Sequence, residues 1–168
     1  ATGRLLGGRI GGDAQWTWGS GHRLRFSCWG RQLDPARLFP DWSGRLQIQG
    51  KGDVTFGLKP LEGRFSLVLQ DSLLSGKTLS GRASARWEKG RLTLEPSELR
   101  GPGFVAAAEG TLERRLLYSA TVHDVRGLYP KGAGQCRAEG WVRRVDGQWS
   151  GRFQGRGTAL ALGGVEAS

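Results

Sequence analysis

Methionine and asparagine are absent from this chain, and cysteine occurs only twice, as Cys28 and Cys136. Two cysteines are too few for a disulfide framework, and there is no C-x-x-C pair for metal or redox chemistry. Both fall in alternating runs, which marks them as small buried hydrophobes, with a single bridge left open in an oxidising compartment. No apolar run reaches membrane-spanning length, and no signal-peptide pattern opens the chain. It begins on Ala1, which reads as a segment excised from a longer protein, with any anchor lying outside it. Acidic residues are scarce, 15 against 25 basic ones, for a net charge of +10. Arginine dominates the basic set, 20 to 5 over lysine. That excess suits a phosphate-rich partner such as nucleic acid, phospholipid or lipopolysaccharide. The arginine preference taken alone also fits GC-rich coding. Hydrophobic residues make up only 38%, which argues against a large two-sided core and for one apolar face.

Glycine, by contrast, is abundant at 29 residues, with no collagen period. Nine Gly-Arg steps punctuate the chain. Gly44-Arg45 precedes Leu46-Gln47-Ile48-Gln49, Gly63-Arg64 precedes Phe65-Ser66-Leu67-Val68-Leu69, and Gly90-Arg91 precedes Leu92-Thr93-Leu94. Gly151-Arg152 likewise precedes Phe153-Gln154. Period-two alternation is the mark of a strand with one apolar and one polar side. Glycine between the runs is expected to make the turns.

The same alternation runs along the rest of the chain. Trp16 and Trp18 are spaced for one strand face, as are Leu24, Phe26 and Cys28. Val54, Phe56 and Leu58 follow, then Ala83, Ala85 and Trp87. Leu116, Tyr118, Ala120 and Val122 alternate, and so do Cys136 and Ala138, then Trp149 and Phe153. Leu160 and Leu162 suggest a last strand. The total is about ten strands. Phe104–Leu117 contains an Ala-Ala-Ala-Glu stretch, yet Gly103 and Gly110 favour two strands over a helix. The one helix signal is short and lies near residues 35–39. Asp34 caps, Pro35 suits the first position and Pro40 stops it. Leu38, Phe39 and Trp42 are expected to dock this piece on the sheet. The repeats are degenerate strand-turn units without a fixed solenoid period. Short connections require antiparallel neighbours, and no linker divides residues 1–168.

Motifs for chemistry are incomplete. Gly76-Lys77-Thr78 ends like a phosphate-binding loop, but Asp71 stands where its first glycine belongs. Gly101-Pro102-Gly103-Phe104-Val105-Ala106 mimics a dinucleotide fingerprint, with a proline in the turn and no following helix. His22 and His123 lie far apart. His123-Asp124 offers too few ligands for a metal. Ser150 lies outside a nucleophile elbow, and Glu95 and Glu98 straddle a proline. The expectation is a protein that is not an enzyme and carries no cofactor. Seven tryptophans beside arginines raise single-stranded nucleic acid. However, the arginines are dispersed and the tryptophans mostly share parity with apolar residues, so nucleic acid is not the expected partner.

The expected fold is all-β. A single antiparallel sheet curls into a taco-like trough or open barrel with an apolar interior. The segment Leu33-Asp34-Pro35-Ala36-Arg37-Leu38-Phe39-Pro40-Asp41-Trp42-Ser43-Gly44-Arg45-Leu46-Gln47-Ile48-Gln49-Gly50 resembles the recurring unit of the TamB and AsmA-like family. There a short proline-containing helix precedes a strand of the form G-x-L-x-x-x-G. Leu79-Ser80-Gly81-Arg82-Ala83 and Gly90-Arg91-Leu92-Thr93-Leu94 are in the same style, and the resemblance extends over residues 33–165. It implies a periplasmic β-trough, part of an inner-membrane-anchored protein of a Gram-negative bacterium. Its role would be outer-membrane biogenesis, by phospholipid transport between the membranes. Implied partners are phospholipid acyl chains, a TamA-like outer-membrane barrel and outer-membrane protein clients. The lipid-lining residues would be Leu46, Ile48, Val54, Phe56, Phe65, Leu67, Leu69, Trp87, Leu92 and Leu94, with plain core packing as the competing role. The alternative function is a chaperone-like module that adds client strands to its sheet edge.

Overall fold

The computed structural model describes residues 1–19, 21–40, 42–57, 61–127, 132–162 and 165–166. They form one antiparallel sheet of twelve strands whose spatial order is their sequence order. The strands are β1 (Thr2–Leu5), β2 (Gly8–Thr17), β3 (His22–Leu33), β4 (Gly44–Phe56), β5 (Glu62–Leu74) and β6 (Lys77–Glu88). They continue as β7 (Arg91–Gly101), β8 (Phe104–Thr111), β9 (Arg115–Val122), β10 (Gly132–Val145), β11 (Gln148–Leu162) and β12 (Val165–Glu166). The sheet does not close into a barrel. Phe104–Leu117 falls on two strands, as its glycines indicated, while Leu160 and Leu162 end β11 instead of forming a strand of their own. Leu58 lies outside the described residues.

Four hairpins turn on two residues that both have positive φ: Leu6-Gly7, Ser75-Gly76, Lys89-Gly90 and Asp146-Gly147. Such turns match the right-handed twist of the strands they join. Of the Gly-Arg steps singled out above, only Gly90-Arg91 belongs to a turn. Gly63 pairs with Val54 and Trp87 inside the sheet, and Gly151 pairs with Val142. Gly44 opens β4. Most of these glycines are therefore strand residues and not the turns that the alternation suggests.

Buried apolar side chains collect at one set of strand ends. Leu33, Leu74, Leu79, Val122 and Val125 are all buried there. Two 3₁₀ turns cover this end, Pro35–Arg37 between β3 and β4 and Val125–Gly127 between β9 and β10. Asp34 Oδ1 accepts from the Ala36 amide and Asp124 Oδ1 from the Arg126 amide, both at 3.0 Å. The first turn lies where the sequence placed it, but its docking differs. Pro35 is buried, whereas Leu38, Phe39 and Trp42 are exposed. A three-residue turn has room to bury only the side chain nearest the strands.

Six of the strand pairs carry register shifts. Bulges bend a strand and increase its twist. The shifts also reveal a longer repeat than a strand-turn unit. Gly44, Gly52, Gly63, Phe65 and Asp71 recur at one constant spacing as Gly132, Gly140, Gly151, Phe153 and Ala159. The register agrees: Phe26–Gly52–Phe65 across β3, β4 and β5 matches Tyr118–Gly140–Phe153 across β9, β10 and β11. Asp71 and Ala159 both take positive φ. The sequence around the first turn recurs too, since Asp34, Leu38, Phe39 and Pro40 reappear in order as Asp124, Leu128, Tyr129 and Pro130. The repeat thus spans six strands, with a longer spacing from β3 to β9 than from β4 to β10.

Candidate functional site

Period-two alternation sorts the side chains onto two faces, and the register joins the apolar ones into rows. One row passes from Ala14 through Phe26, Gly52, Phe65, Ala85, Leu94, Gly110, Leu116 and Val142 to Gly151. It crosses every strand from β2 to β11 without a polar side chain. At about 4.8 Å per strand it measures roughly 40 Å along the sheet. A neighbouring row runs Trp16, Leu24, Val54, Gly63, Trp87, Leu92.

All ten sequence-derived lining residues lie on this face. Val54, Trp87 and Leu92 share one row, Phe65 and Leu94 the next, and Ile48 stands opposite Leu69. Leu67 sits opposite Gly50. Phe56 extends the face past Val54 and stacks edge-on against Trp16, centroids 4.8 Å apart. Leu46 keeps the same face but lies across the β4–β5 bulge, opposite Leu33 at the covered end. None of the ten is buried, and Phe65 and Leu67 are 37% and 47% exposed. The folded core is thus made by other residues, at the strand ends.

Sequence reasoning missed how far this face extends. Phe26, Leu24 and Trp16 continue it on one side, and Tyr118, Leu116, Val142 and Phe153 on the other. The alternation of β9–β11 was visible, but only register links it to β4–β7. Glycines form part of the floor. A Cβ on Gly52 would collide with the Phe26 ring and come within 3.1 Å of Phe65. A Cβ on Gly50 would approach Cys28 Sγ to 2.8 Å. Large side chains lie flat over these gaps.

Cys28 and Cys136 are both free, on strands far apart in the open sheet. Cys28 is exposed, contrary to a buried role, because its neighbour across the register is Gly50 and shields nothing. Two tryptophans depart from the apolar parity. Trp29 and Trp141 project from the polar face, where Arg31 stacks on the first and Arg115 and Arg143 on the second.

The polar face is studded with exposed ion pairs. Asp53 Oδ1 accepts from Arg23 Nε at 2.7 Å, and Arg25 Nε reaches Asp53 Oδ2 at 3.3 Å. The Arg23 hydrogen bond holds the Asp53 carboxyl below the ordinary carboxylate range, against a smaller desolvation effect. Arg100 does the same for Glu98, and Arg126 for Asp124. Arg86 pairs with Glu95 at 3.0 Å and Arg137 with Glu139 at 3.2 Å.

The phosphate-loop mimic at Gly76-Lys77-Thr78 is the β5–β6 hairpin, and Gly101-Pro102-Gly103-Phe104 is the β7–β8 hairpin. Among the described residues no cluster of three His, Cys, Asp or Glu side chains could hold a metal. No family model matches this chain, and no curated protein or solved structure matches it.

Proposed function

We propose that this chain is a segment of a β-trough that shields acyl chains while phospholipid crosses an aqueous gap. The setting would be the periplasm of a Gram-negative bacterium, within an inner-membrane-anchored protein of the TamB and AsmA-like kind. The gap crossed would separate the inner and outer membranes. The observation that carries this reading is the uninterrupted apolar row from Ala14 to Gly151 on an open sheet. Each acyl CH₂ exposed to water costs about 0.8 kcal/mol, so a lipid needs cover along its whole path. A row of aliphatic, aromatic and glycine positions supplies cover without a polar trap, which lets a chain slide. The process involves no catalysis in this segment.

The test is native mass spectrometry with lipid extraction on protein purified from bacterial membranes and periplasm. Retained phospholipid, lost when a charge is placed on the apolar face, is the expected result. A folded, lipid-free protein would overturn the reading.

A second reading draws on one observation. β12 pairs with β11 only at Ala161 and Leu162. Among the described residues, the outer edge of β11 from Gln148 to Leu160 has no neighbour. An open edge of that length suits a strand of an outer-membrane protein client, assembled with a TamA-like barrel. Binding of alternating-pattern peptides without lipid would favour it.

A further inference from the structure

At one corner of the polar face three arginines gather without a carboxylate. Nearby, Arg23 and Arg25 meet Asp53, and Arg137 meets Glu139. Among the described residues, no carboxylate lies within ion-pair distance of Arg115, Arg143 or Arg152. These three surround one indole. The Arg115 and Arg143 guanidiniums stand 5.0 and 5.6 Å from the Trp141 ring centroid, and Arg152 is the residue paired with Trp141 on β11. The Leu116–Val142 pair, continued one step outward, sets Arg115 opposite Arg143. Like charges directly opposite one another destabilise a sheet. Stacking on Trp141 offsets part of that cost and holds the guanidinium planes.

The internal duplication supplies a reference for this corner. By register, Arg23, Asp53 and Arg64 of the first copy correspond to Arg115, Trp141 and Arg152 of the second. Thr55, opposite Arg23, corresponds to Arg143. The first copy places a carboxylate at the centre, and Asp53 accepts from both Arg23 and Arg25. The second copy replaces that carboxylate with an indole, Arg25 with Leu117 and Thr55 with Arg143, so three arginines remain and the carboxylate is gone.

We propose that an external phosphate group takes the place of the missing carboxylate, bound by Arg115, Arg143 and Arg152 beside Trp141. Phosphate oxygens match the guanidinium fork, which donates two parallel hydrogen bonds. Arg143 Nε is occupied by Ser150 Oγ at 2.9 Å, which fixes the side chain and leaves its terminal N–H groups for the ligand. All three arginines are exposed, and Trp141 is half-buried. A groove of about 650 Å³ opens beside Trp141 and Arg152 and has room for the remainder of a phosphate ester. Glu98, Glu109 and Glu139 also line this groove, with Arg82, and repulsion from those carboxylates favours an anion held against the guanidiniums. The phosphate is either free or carried on a lipid headgroup. The site lies on the face opposite the apolar rows, so it stands whether or not acyl chains bind there.

Calorimetric titration of the full chain tests it, with inorganic phosphate as one probe and phosphatidylglycerol vesicles as the other. Saturable phosphate binding is expected, weakened about tenfold or more by Arg143→Gln. Trp141→Asp, which installs the first copy's carboxylate, should weaken it likewise. Arg143 is exposed, so its variant is expected to melt like the parent even if Trp141→Asp folds poorly. Vesicle binding that inorganic phosphate displaces assigns the site to a headgroup. Phosphate binding without vesicle binding assigns it to free phosphate. Neither probe binding the parent chain, or both binding Arg143→Gln unchanged, would overturn the proposal.

Discussion

The Ser72 hydroxyl accepts a hydrogen bond from the Gln47 backbone amide at 2.7 Å, inside the β4–β5 bulge. Its own proton has the Gln70 carbonyl within reach at 3.0 Å. Ser72 is fully buried, so the hydroxyl stands in for a ladder bond that the bulge removes. Ser97 does the same between β6 and β7, accepting from the Ser84 amide at 3.3 Å and donating to the Glu95 carbonyl at 2.7 Å. Ser72→Ala leaves a buried amide unpaired and should cost about 1–3 kcal/mol. Ser97→Ala should cost less, because its longer contact gives up less. Urea denaturation of both variants measures the difference, and an equal or reversed order would contradict this account of the bulges.

The glycines beneath the aromatic rings make a second prediction. Gly52→Ala meets the end of the Phe26 ring, which can rotate away. Gly140→Ala meets the backbone carbonyl of Arg152, which cannot. Overpacking costs typically about 1–3 kcal/mol, and Gly140→Ala should fall at or above the top of that range. Gly52→Ala should fall near the bottom. Thermal melts of the two variants settle the order.

Strand identity and face were legible because alternation depends only on neighbouring residues. Phe65, Leu67 and Leu69 announce their face without any partner. Glycine was misread because its two uses look alike in sequence. Gly90 needs positive φ, while Gly63 needs the space above it for the Phe65 ring. The two-residue turns were hidden for a related reason. Leu6, Ser75 and Lys89 take the left-handed conformation without the usual Asn or Asp. The six-strand repeat escaped notice because the spacing from β3 to β9 is longer than that from β4 to β10, so no single offset aligns the two copies. The Arg115–Arg143 juxtaposition depends wholly on register, which a sequence does not display.

Acid should weaken the polar face in a defined direction. The Arg23 hydrogen bond lowers the folded-state pKa of Asp53. A carboxylate with a depressed pKa contributes stability that is present above its unfolded value, near 3.9. That contribution disappears as pH falls through the folded value. Asp53 and Arg23 are 36% and 46% exposed, so solvent screening keeps the effect below about 1 kcal/mol. Asp53→Asn should therefore be less stable than the parent at pH 7, and the gap should close as pH falls through the folded value. A stability gap that widens in acid would contradict the ion-pair account.

Leu67→Asp separates lining from core. Leu67 is 47% exposed and faces Gly50 and Ala83, so a carboxylate there remains hydrated. The expected loss of stability is about 1 kcal/mol or less, the range for surface positions with limited burial. Co-purifying phospholipid should nevertheless fall several-fold, because the charge interrupts the apolar row that an acyl chain would cross. Unfolding of this variant would instead assign Leu67 to the core.

Cys28 offers a reporter inside the same rows. Its thiol is exposed and lies opposite Gly50, which in turn lies opposite Leu67. A chain lying across those positions must cover the sulfur. Cys136 is half-buried on β10 and provides an internal comparison. Loading the protein with phospholipid should slow alkylation of Cys28 by a water-soluble maleimide several-fold. A soluble headgroup analogue such as glycerol phosphate should leave that rate unchanged, since its proposed site is on the other face. If lipid fails to protect Cys28, any bound acyl chain lies away from the β3–β5 rows. If glycerol phosphate protects it, the assignment of the two ligands to opposite faces is wrong.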